Sequence, residues 1–263
     1  MSEEIPLVGG DVNVGENVVV RVGDTVRRRV GPHTRAVHAL LRHFETVGFD
    51  GAPRVLGIDE RGREILTYVD GEPALPPIPA GDDALVALAQ LLRSMHDAQA
   101  GFVAPPDAAW HDGPLRPPAG AVICHNDLFP PNVVFRDGAP VALIDWDLCG
   151  PASPLYDVAS AANFWVPLAH EERATEFGLT NERAGERLRL LCDVYGLGRG
   201  GRQRLLDVVA HRNAMGYEIH RLWGGVERRP GWREMWDRNS GETILRRNAW
   251  FEARRGDLLA FLR

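Results

Sequence analysis

The residues best suited to chemistry lie in the middle of the chain, in the run HNDLFPPNVVF at 125–135 and in the run VALIDWD that follows it. Together they place Asp127, Asn132 and Asp145 around a loop between strand-like runs. Phosphoryl transfer from ATP needs such a set: a carboxylate that orients or deprotonates the nucleophile, and oxygen ligands that hold Mg²⁺ on the phosphates. Hard oxygen donors suit magnesium, and no nearby Cys/His spacing favours zinc.

Turns offer a simpler explanation of these residues, because Asp and Asn often form turns beside prolines. One Asp–Asn pair would not distinguish the two explanations. The whole ordered set, within a strand–loop–strand unit, favours chemistry.

The chain before this loop predicts a small β-rich unit. The run NVVVRVGDTVRRRV at 17–30 predicts two strands joined by a two-residue turn at Gly23-Asp24. A helix follows, because apolar residues recur at helical spacing up to Gly48, namely Val37, Leu40, Leu41, Phe44 and Val47. The runs RVLGI and REILTYV then predict two more strands.

A boundary is predicted after these strands, where Asp70-Gly71 and the proline-rich stretch EPALPPIPAG interrupt regular structure. It divides the chain into an N-terminal unit at 1–70 and a C-terminal unit at 71–263. A core-facing helix is predicted just beyond it, and amphipathic helices are predicted along the tail that follows the loop.

Composition narrows the class of protein. The formal charge is -6 over 263 residues, and no stretch combines basic and aromatic residues as nucleic-acid binding requires. No apolar run approaches the ~20 residues of a membrane span. Three cysteines at no metal-like spacing, and a start, MSEEIP, unlike a signal peptide, predict a reduced, cytoplasmic protein.

The order of the central residues resembles the catalytic loop of protein kinases, an Asp, four residues and an Asn with a second Asp downstream. The form H-N-D-x-x-x-x-N followed by I-D-W-D is more similar to the aminoglycoside phosphotransferase family and its choline kinase relatives. The similarity extends from about Leu7 to Val166 and covers the helical tail only loosely. It implies an α+β, two-lobed, protein-kinase-like fold, with a small antiparallel β lobe containing one helix and a larger, mainly helical lobe.

The resemblance also implies roles for individual residues. Asp127 would orient or deprotonate a substrate hydroxyl, while Asn132 and Asp145 would hold magnesium against the ATP phosphates. His125 would be a structural member of the loop, with its imidazole bonded to backbone. Asp157, in SPLYDVA, matches the aspartate that braces the catalytic loop from the next helix.

Nucleotide contacts are expected from the N-terminal unit. Gly9 and Gly10 precede the first long strand, and glycines let backbone amides approach phosphates closely. Similar enzymes then carry a lysine on a strand and a glutamate on the next helix that holds it. This chain contains no lysine, so strand alternation selects Arg28 for the inward position, and His38 falls where the glutamate is expected. Arginine binds phosphate, but its planar fork differs from the point charge of lysine.

Backbone groups of Thr67 and Val69 are expected to pair with the adenine edge, with ATP as the donor and GTP possible. The acceptor is expected to be a small molecule with a hydroxyl, and the protein a monomer or homodimer. Tryptophans among acidic residues in the tail suit an amino sugar, a choline-like cation, a nucleoside or a glycoside equally. Two functions stay open: an active phosphotransferase, and a pseudokinase-like protein that binds nucleotide or ligand without turnover.

Overall fold

The first sheet organises the N-terminal lobe. In the computed structural model, which describes residues 3–7, 19–79, 81–110 and 120–263, five antiparallel strands lie in the order β1-β2-β3-β5-β4. They are β1 (Ile5–Pro6), β2 (Val20–Val22), β3 (Thr25–Arg29), β4 (Val55–Ile58) and β5 (Arg63–Thr67). The predicted turn is present between β2 and β3, where Gly23 has a φ of 58°. Glycine adopts this left-handed conformation without a steric penalty.

The register of β3 against β5 places Arg28 opposite Glu64. Residues directly opposite in an antiparallel pair project from the same face of the sheet. Both side chains are largely buried there, with Arg28 15% and Glu64 1% exposed. The sheet therefore presents a cation and an anion together on its inner face.

One helix, α1 (Thr34–Thr46), packs against this sheet, as the apolar spacing predicted. Val37, Leu40, Leu41 and Phe44 are buried, whereas Val47 is 48% exposed. Val47 was predicted to face the core, but the helix ends before it and Gly48 turns the chain away with a φ of 74°. The prediction for Val47 was therefore wrong.

Two small sheets carry the central segment. The chain leaves the first sheet after β5 and joins a second sheet at β6, so the predicted boundary at residue 70 lies in the connection between them. The second sheet has the order β6-β8-β9, with β6 (Glu72–Pro73), β8 (Val133–Arg136) and β9 (Ala139–Leu143). The third sheet pairs β7 (Val122–Cys124) with β10 (Gly150–Ala152).

Helices form most of the rest of the C-terminal lobe: α2 (Asp82–Asp97), α3 (Leu155–Trp165), α4 (Glu171–Glu176), α5 (Ala184–Tyr195), α6 (Arg199–Ile219), α7 (Trp232–Asp237) and α8 (Ser240–Phe261). Helix α6 continues into a π-helical segment, His220–Val226. Within the described ranges, no helix combines the length and apolar character needed to cross a membrane. The architecture is α+β and two-lobed, as predicted.

Candidate active site

The central loop lies between two pairs of strands. It begins where β7 ends beside Gly150 of β10 and closes with a 3₁₀ turn, Pro130–Asn132, that leads into β8. Asn126 has a φ of 65°, in the left-handed region that asparagine adopts more readily than most non-glycine residues. The loop therefore makes a left-handed bend directly before Asp127.

Asp157 supplies the contacts that hold the loop. From the first turn of α3, its Oδ1 accepts from the Asn126 amide at 2.7 Å, and its Oδ2 from the His125 amide at 2.8 Å. The ring of His96 on α2 lies 3.0 Å from Oδ2. Burial alone would raise the pKa of Asp157, but the hydrogen bond from His96 and the nearby positive charges bring it below its usual value. The carboxylate thus stays charged and lies where the resemblance put it.

Histidine 125 joins the loop to the strand that leads to Asp145. Its Nε2 lies 3.0 Å from the carbonyl oxygen of Ile144, and its ring packs against Trp146 at 4.6 Å between centroids. The side chain is fully buried. It is bonded to backbone, in the arrangement that the resemblance implied.

Asp127 and Asn132 form a pair across the loop. Asn132 Nδ2 donates to Asp127 Oδ2 at 2.8 Å and to the Asp127 carbonyl oxygen at 3.2 Å. Burial raises the pKa of Asp127 above its usual value, although the charges of His125 and Arg212 and two hydrogen bonds oppose that rise. A carboxylate with a raised pKa is a stronger base than an ordinary aspartate.

Asp145 follows β9 with a left-handed φ of 62°, directly before a 3₁₀ turn, Trp146–Leu148. Desolvation and the charge of Asp147 raise the pKa of Asp145, against the lowering effect of Arg28. Asp147 behaves differently, because a hydrogen bond from His33 and the charge of Arg28 outweigh desolvation and lower its pKa to about 2. Two carboxylates this close favour a cation between or beside them.

Arg28 is that cation. Its Nε donates to Glu64 at 2.6 Å, its Nη1 to Asp145 at 3.2 Å and its Nη2 to Asp147 at 2.5 Å. The three carboxylates raise the pKa of Arg28 well above its usual value, although burial acts in the opposite direction. The guanidinium therefore joins the N-terminal sheet to the segment that carries Asp145.

A glutamate does hold this cation, but it comes from a strand. Helix α1 offers His38 at the expected position, and its Nε2 lies 2.7 Å from Glu64 Oε2. Glu64 thus contacts Arg28 with one oxygen and His38 with the other. His38 itself carries no fixed negative charge, but β5 supplies one across the sheet through Glu64.

Sequence reasoning missed Glu64, Asp147 and His33. Glu64 gave a signal, since it alternates with the buried Leu66 in REILT and so falls on an inward position of the strand. Asp147 was visible as the second acid of IDWD. No sequence pattern pointed to His33, whose contact with Asp147 depends on how the two lobes meet.

The expected hinge is only partly available. The Thr67 amide already donates to the Arg54 carbonyl oxygen at 2.9 Å, because β5 has a neighbouring strand on each side. The Thr67 amide is therefore not available to a nucleotide. In the part of the chain that the structure describes, the amide of Val69 has no hydrogen-bond partner. Gly9 and Gly10 lie outside the described residues.

A second group of potential ligands, His96, Cys124 and Asp157, brings its ligand atoms within 4.8 Å of one another. Asp157 already accepts from two backbone amides there, and Cys124 Sγ donates to the Ser153 carbonyl oxygen at 3.2 Å. Burial raises the pKa of the Cys124 thiol, which disfavours the thiolate that a metal requires. The group therefore braces the loop and is a poor metal site.

Sequence comparison places this site within a known family. Residues 107–191 match the sequence model of the phosphotransferase enzyme family, and this range contains the central loop, Asp145 and Asp157. The trifolitoxin immunity protein of Rhizobium leguminosarum bv. trifolii is 39% identical over 212 residues, which is 79% of each chain.

Solved structures share the fold at low identity. A choline/ethanolamine kinase family protein from Mesorhizobium loti has a TM-score of 0.63 at 18% identity and covers 100% of this chain and 93% of its own. An amicoumacin kinase in complex with AMP-PNP and Ca²⁺ has a TM-score of 0.62 at 14% identity, with 82% and 80% covered. An ADP-bound aminoglycoside phosphotransferase has a TM-score of 0.58 at 14% identity, with 95% of both chains covered. The matched loop, the kinase-like fold and the immunity protein that is 39% identical all agree. The chain belongs to the phosphotransferase enzyme family.

Proposed function

We propose that this protein is an ATP- and Mg²⁺-dependent phosphotransferase that transfers the γ-phosphate to a hydroxyl of a small molecule. The observation that carries the proposal is the Asp127–Asn132 pair, with Asp145 beside it and Arg28 reaching in from the other lobe. Phosphoryl transfer depends mainly on positioning and charge stabilisation, and these groups supply both.

Asp127 is the residue proposed to act on the acceptor. Its raised pKa favours taking a proton from a hydroxyl, and its bond to Asn132 fixes the orientation of the carboxylate. The brace from Asp157 to the two preceding amides keeps the loop in place while the acceptor binds. These residues thus form a base and the support that aims it.

The donor set fits magnesium. Asn132 turns its Nδ2 toward Asp127, and no described residue donates to its amide oxygen, so that oxygen is free to coordinate an ion. Asp145 adds a carboxylate, an oxygen ligand of the kind magnesium prefers, whose pKa is raised by burial and by the nearby charge of Asp147. Bound magnesium would neutralise charge on the nucleotide phosphates. We propose Asn132 and Asp145 as its ligands.

Arg28 is proposed to contact the phosphates in place of the family's lysine. It is already oriented by Glu64, and Glu64 by His38. This arrangement supplies a fixed negative charge beside the cation, as active kinases have, so it favours an enzyme over a pseudokinase. GTP is a possible second donor.

The relative's name guides the proposed acceptor. It is called an immunity protein against trifolitoxin, and phosphorylation of a hydroxyl is one chemical route to inactivating a toxin. We therefore propose an acceptor among toxic natural products that carry a free hydroxyl. The pocket, and not the family, fixes which one.

Asp127→Asn and Asp145→Asn separate the proposed roles. Thermal unfolding with and without ATP or GTP and Mg²⁺ reports nucleotide binding, and mass spectrometry of a panel of hydroxylated natural products reports transfer. Asp127→Asn should keep the magnesium-dependent rise in Tm and lose roughly 10²–10⁴-fold in transfer rate, the usual contribution of a positioned base. Asp145→Asn should lose the magnesium-dependent rise itself.

Asp137→Asn is the matched control. It makes the same substitution at an exposed turn that directly follows β8. The left-handed φ of 52° at this residue is one that asparagine tolerates. It should match wild type in both readouts. Nucleotide binding without transfer to any acceptor would favour the binding-protein function, and transfer by Asp127→Asn at the wild-type rate would remove Asp127 from the proposed role.

A further inference from the structure

Unpartnered polar atoms concentrate on one side of the central loop. In the described ranges, eight buried side-chain nitrogen or oxygen atoms have no hydrogen-bond partner, and six of them belong to residues that contact or adjoin one another. These six residues, which we call the polar cluster, are Asn126, Asn163, Arg212, Asn213, Arg247 and Asn248. They come from the loop and from α3, α6 and α8, and so meet in the helical lobe next to Asp127.

Hydrogen bonds connect the polar cluster internally. Asn163 Nδ2 donates to Asn213 Oδ1 at 3.0 Å, and Asn248 Nδ2 donates to the Asn213 carbonyl oxygen at 3.3 Å. Arg212 Nη2 donates to the Asn126 carbonyl oxygen at 3.0 Å and to Ser160 Oγ at 3.1 Å. Since buried polar groups are nearly always satisfied, this many unpaired atoms in one place indicates that a polar partner is missing there.

Arg212 has negative charges nearby. Asp157 and Asp127 both stabilise its charged form, although burial lowers its pKa overall. Its two hydrogen bonds hold the backbone next to Asp127. Arg212 therefore links the polar cluster to the proposed base.

Arg247 has no such compensation. Within the described part of the chain, it has neither an ion pair nor a hydrogen bond, and its guanidinium lies against α6 at Gly216, where a Cβ would sit 3.7 Å from Nη2. The charged groups that act on it are Arg173 and Arg212, and both repel it; burial and this repulsion lower its pKa to about 10. The neighbouring Arg246, by contrast, pairs with Glu172 at 2.8 Å.

Arg247 is half-buried and its Nε is enclosed, and a guanidinium partly removed from water without a counter-charge is destabilising unless a ligand supplies that charge. Its planar fork matches carboxylate and phosphate oxygens, which it binds through two parallel hydrogen bonds. Charge and donor geometry at Arg247 therefore both suit an anion.

Three acidic residues of the tail that could receive a cation are already paired with arginines. Glu218 pairs with Arg221 at 2.8 Å, Asp237 with Arg228 at 2.8 Å, and Glu234 with Arg233 at 2.6 Å. All of these acids lie at the surface, where each already has an arginine partner. They are poorly placed to receive the ammonium groups of an amino sugar.

We propose that the acceptor carries an anionic group, a carboxylate or a phosphate, which binds between α6 and α8 with Arg247 as its main contact and Arg212 beside it. The inference rests on the proposed function, because it assigns this surface to the acceptor that Asp127 acts on. It specifies an acceptor class, a hydroxylated anion, and excludes polycationic amino sugars as the preferred substrates.

The test uses anions as probes while the nucleotide site is occupied. Thermal unfolding is followed at saturating AMP-PNP and Mg²⁺ with sodium phosphate, sodium acetate or sodium chloride at equal ionic strength. Phosphate, acetate or both should raise the wild-type Tm by about 3 °C over chloride, as expected near ten times the Kd. The comparison of the two salts distinguishes a phosphate from a carboxylate.

Arg247→Gln and Arg247→Lys test the residue, with Arg254→Gln as the control. Arg254 is an exposed arginine of the same helix, stacked on Trp250, so its loss removes an equal charge away from the polar cluster. Arg247→Gln should fold, with an unliganded Tm equal to or above wild type because a repelled charge is removed, and should lose the anion effect. Arg247→Lys should keep part of the anion-dependent rise in Tm, and Arg254→Gln should keep all of it.

The outcomes separate this inference from the proposed function. Stabilisation by AMP-PNP and Mg²⁺, with no anion effect beyond chloride in wild type, overturns the anion site and leaves the phosphotransferase intact. An Arg247-dependent anion effect without nucleotide stabilisation supports the site and counts against the phosphotransferase. An anion effect that survives in Arg247→Gln shows that another group binds the anion and overturns the assignment.

A pair of acceptors gives the functional readout. N-acetylserine and its amide, N-acetylserinamide, carry the same hydroxyl and differ in one negative charge. Wild type should phosphorylate the acid at least tenfold faster than the amide, and Arg247→Gln should reduce that ratio toward one. Equal rates on both compounds in wild type, or faster transfer to an aminoglycoside, would contradict the inference.

Discussion

At the scale of residues, Arg28 does what a lysine at the same position could not. A guanidinium presents several donors in a fixed fork, whereas an ammonium is a compact point charge. The fork lets Arg28 contact Glu64 through Nε while its two terminal nitrogens reach Asp145 and Asp147. In this chain, which has no lysine, the cation is thus held by three carboxylates through three different nitrogens.

Glu64→Gln tests that support. Without the fixed negative charge, Arg28 should be drawn toward Asp145 and Asp147, where it competes with magnesium. The Kd for ATP in the presence of Mg²⁺ should rise roughly tenfold, equivalent to about 1.4 kcal/mol. Isothermal titration calorimetry measures this change directly.

Glu60→Gln is the control for Glu64→Gln, because Glu60 is exposed in the turn between β4 and β5 and makes no contact with Arg28. Its Kd should match that of wild type. Circular dichroism establishes that both variants are folded. An unchanged Kd in folded Glu64→Gln would mean that Arg28 needs no glutamate.

At the scale of elements, the loop depends on α3. A single carboxylate at the first turn of α3 accepts from two successive amides of the loop and from His96 of α2. Hydrogen bonds to a charged group contribute more than neutral ones, and a buried amide left unpaired is costly. The left-handed backbone at Asn126 is held in place by this brace.

Asp157→Asn should therefore weaken the whole protein. An asparagine retains one acceptor oxygen and turns an NH₂ group toward a backbone amide, so one amide loses its partner. We expect a loss of about 1–3 kcal/mol in the free energy of unfolding. Urea denaturation measures it.

Asp207→Asn provides the comparison, since Asp207 pairs with Arg255 at the surface of α6. Exposed ion pairs contribute at most about 1 kcal/mol. Equal losses in the two variants would show that Asp157 is an ordinary ion-pair partner and not a brace.

Local patterns predicted the elements that carry their own signal. Turn chemistry at Gly23-Asp24 and the apolar spacing of α1 gave the hairpin and the helix, and the order of Asp127, Asn132 and Asp145 gave the central set. The partnership of Arg28 with Glu64 could not be read from the chain, because it depends on the register of β3 against β5. The unpaired Arg247 was equally hidden, since no sequence pattern shows whether a given arginine will find a partner in the fold.

At the scale of the whole molecule, the two lobes are joined at the site itself. Arg28 and His33 come from the N-terminal lobe, and both contact Asp147 of the C-terminal lobe, at 2.5 and 3.3 Å. A ligand that draws Arg28 away from Asp147 therefore also changes how the lobes are held. The proposed nucleotide site and the lobe arrangement are therefore linked through one carboxylate.

Acid should weaken the C-terminal lobe through His220. This histidine lies between Ser240, whose Oγ is 2.8 Å from Nδ1, and the ring of Trp232. Burial and the charge of Arg247 lower its pKa to about 4, against an ordinary value near 6.5. Between these two values the unfolded chain binds a proton that the folded protein does not.

The sign of the effect follows directly. Because the unfolded state binds more protons, the free energy of unfolding should fall as the pH drops from about 6.5 to 4, by at most about 3 kcal/mol for this shift. His220→Gln removes the titrating group and should flatten the stability profile across that window. Urea denaturation at intervals of half a pH unit, together with an NMR titration of His220, measures both quantities. A profile in His220→Gln as steep as that of wild type would assign the acid sensitivity to other groups.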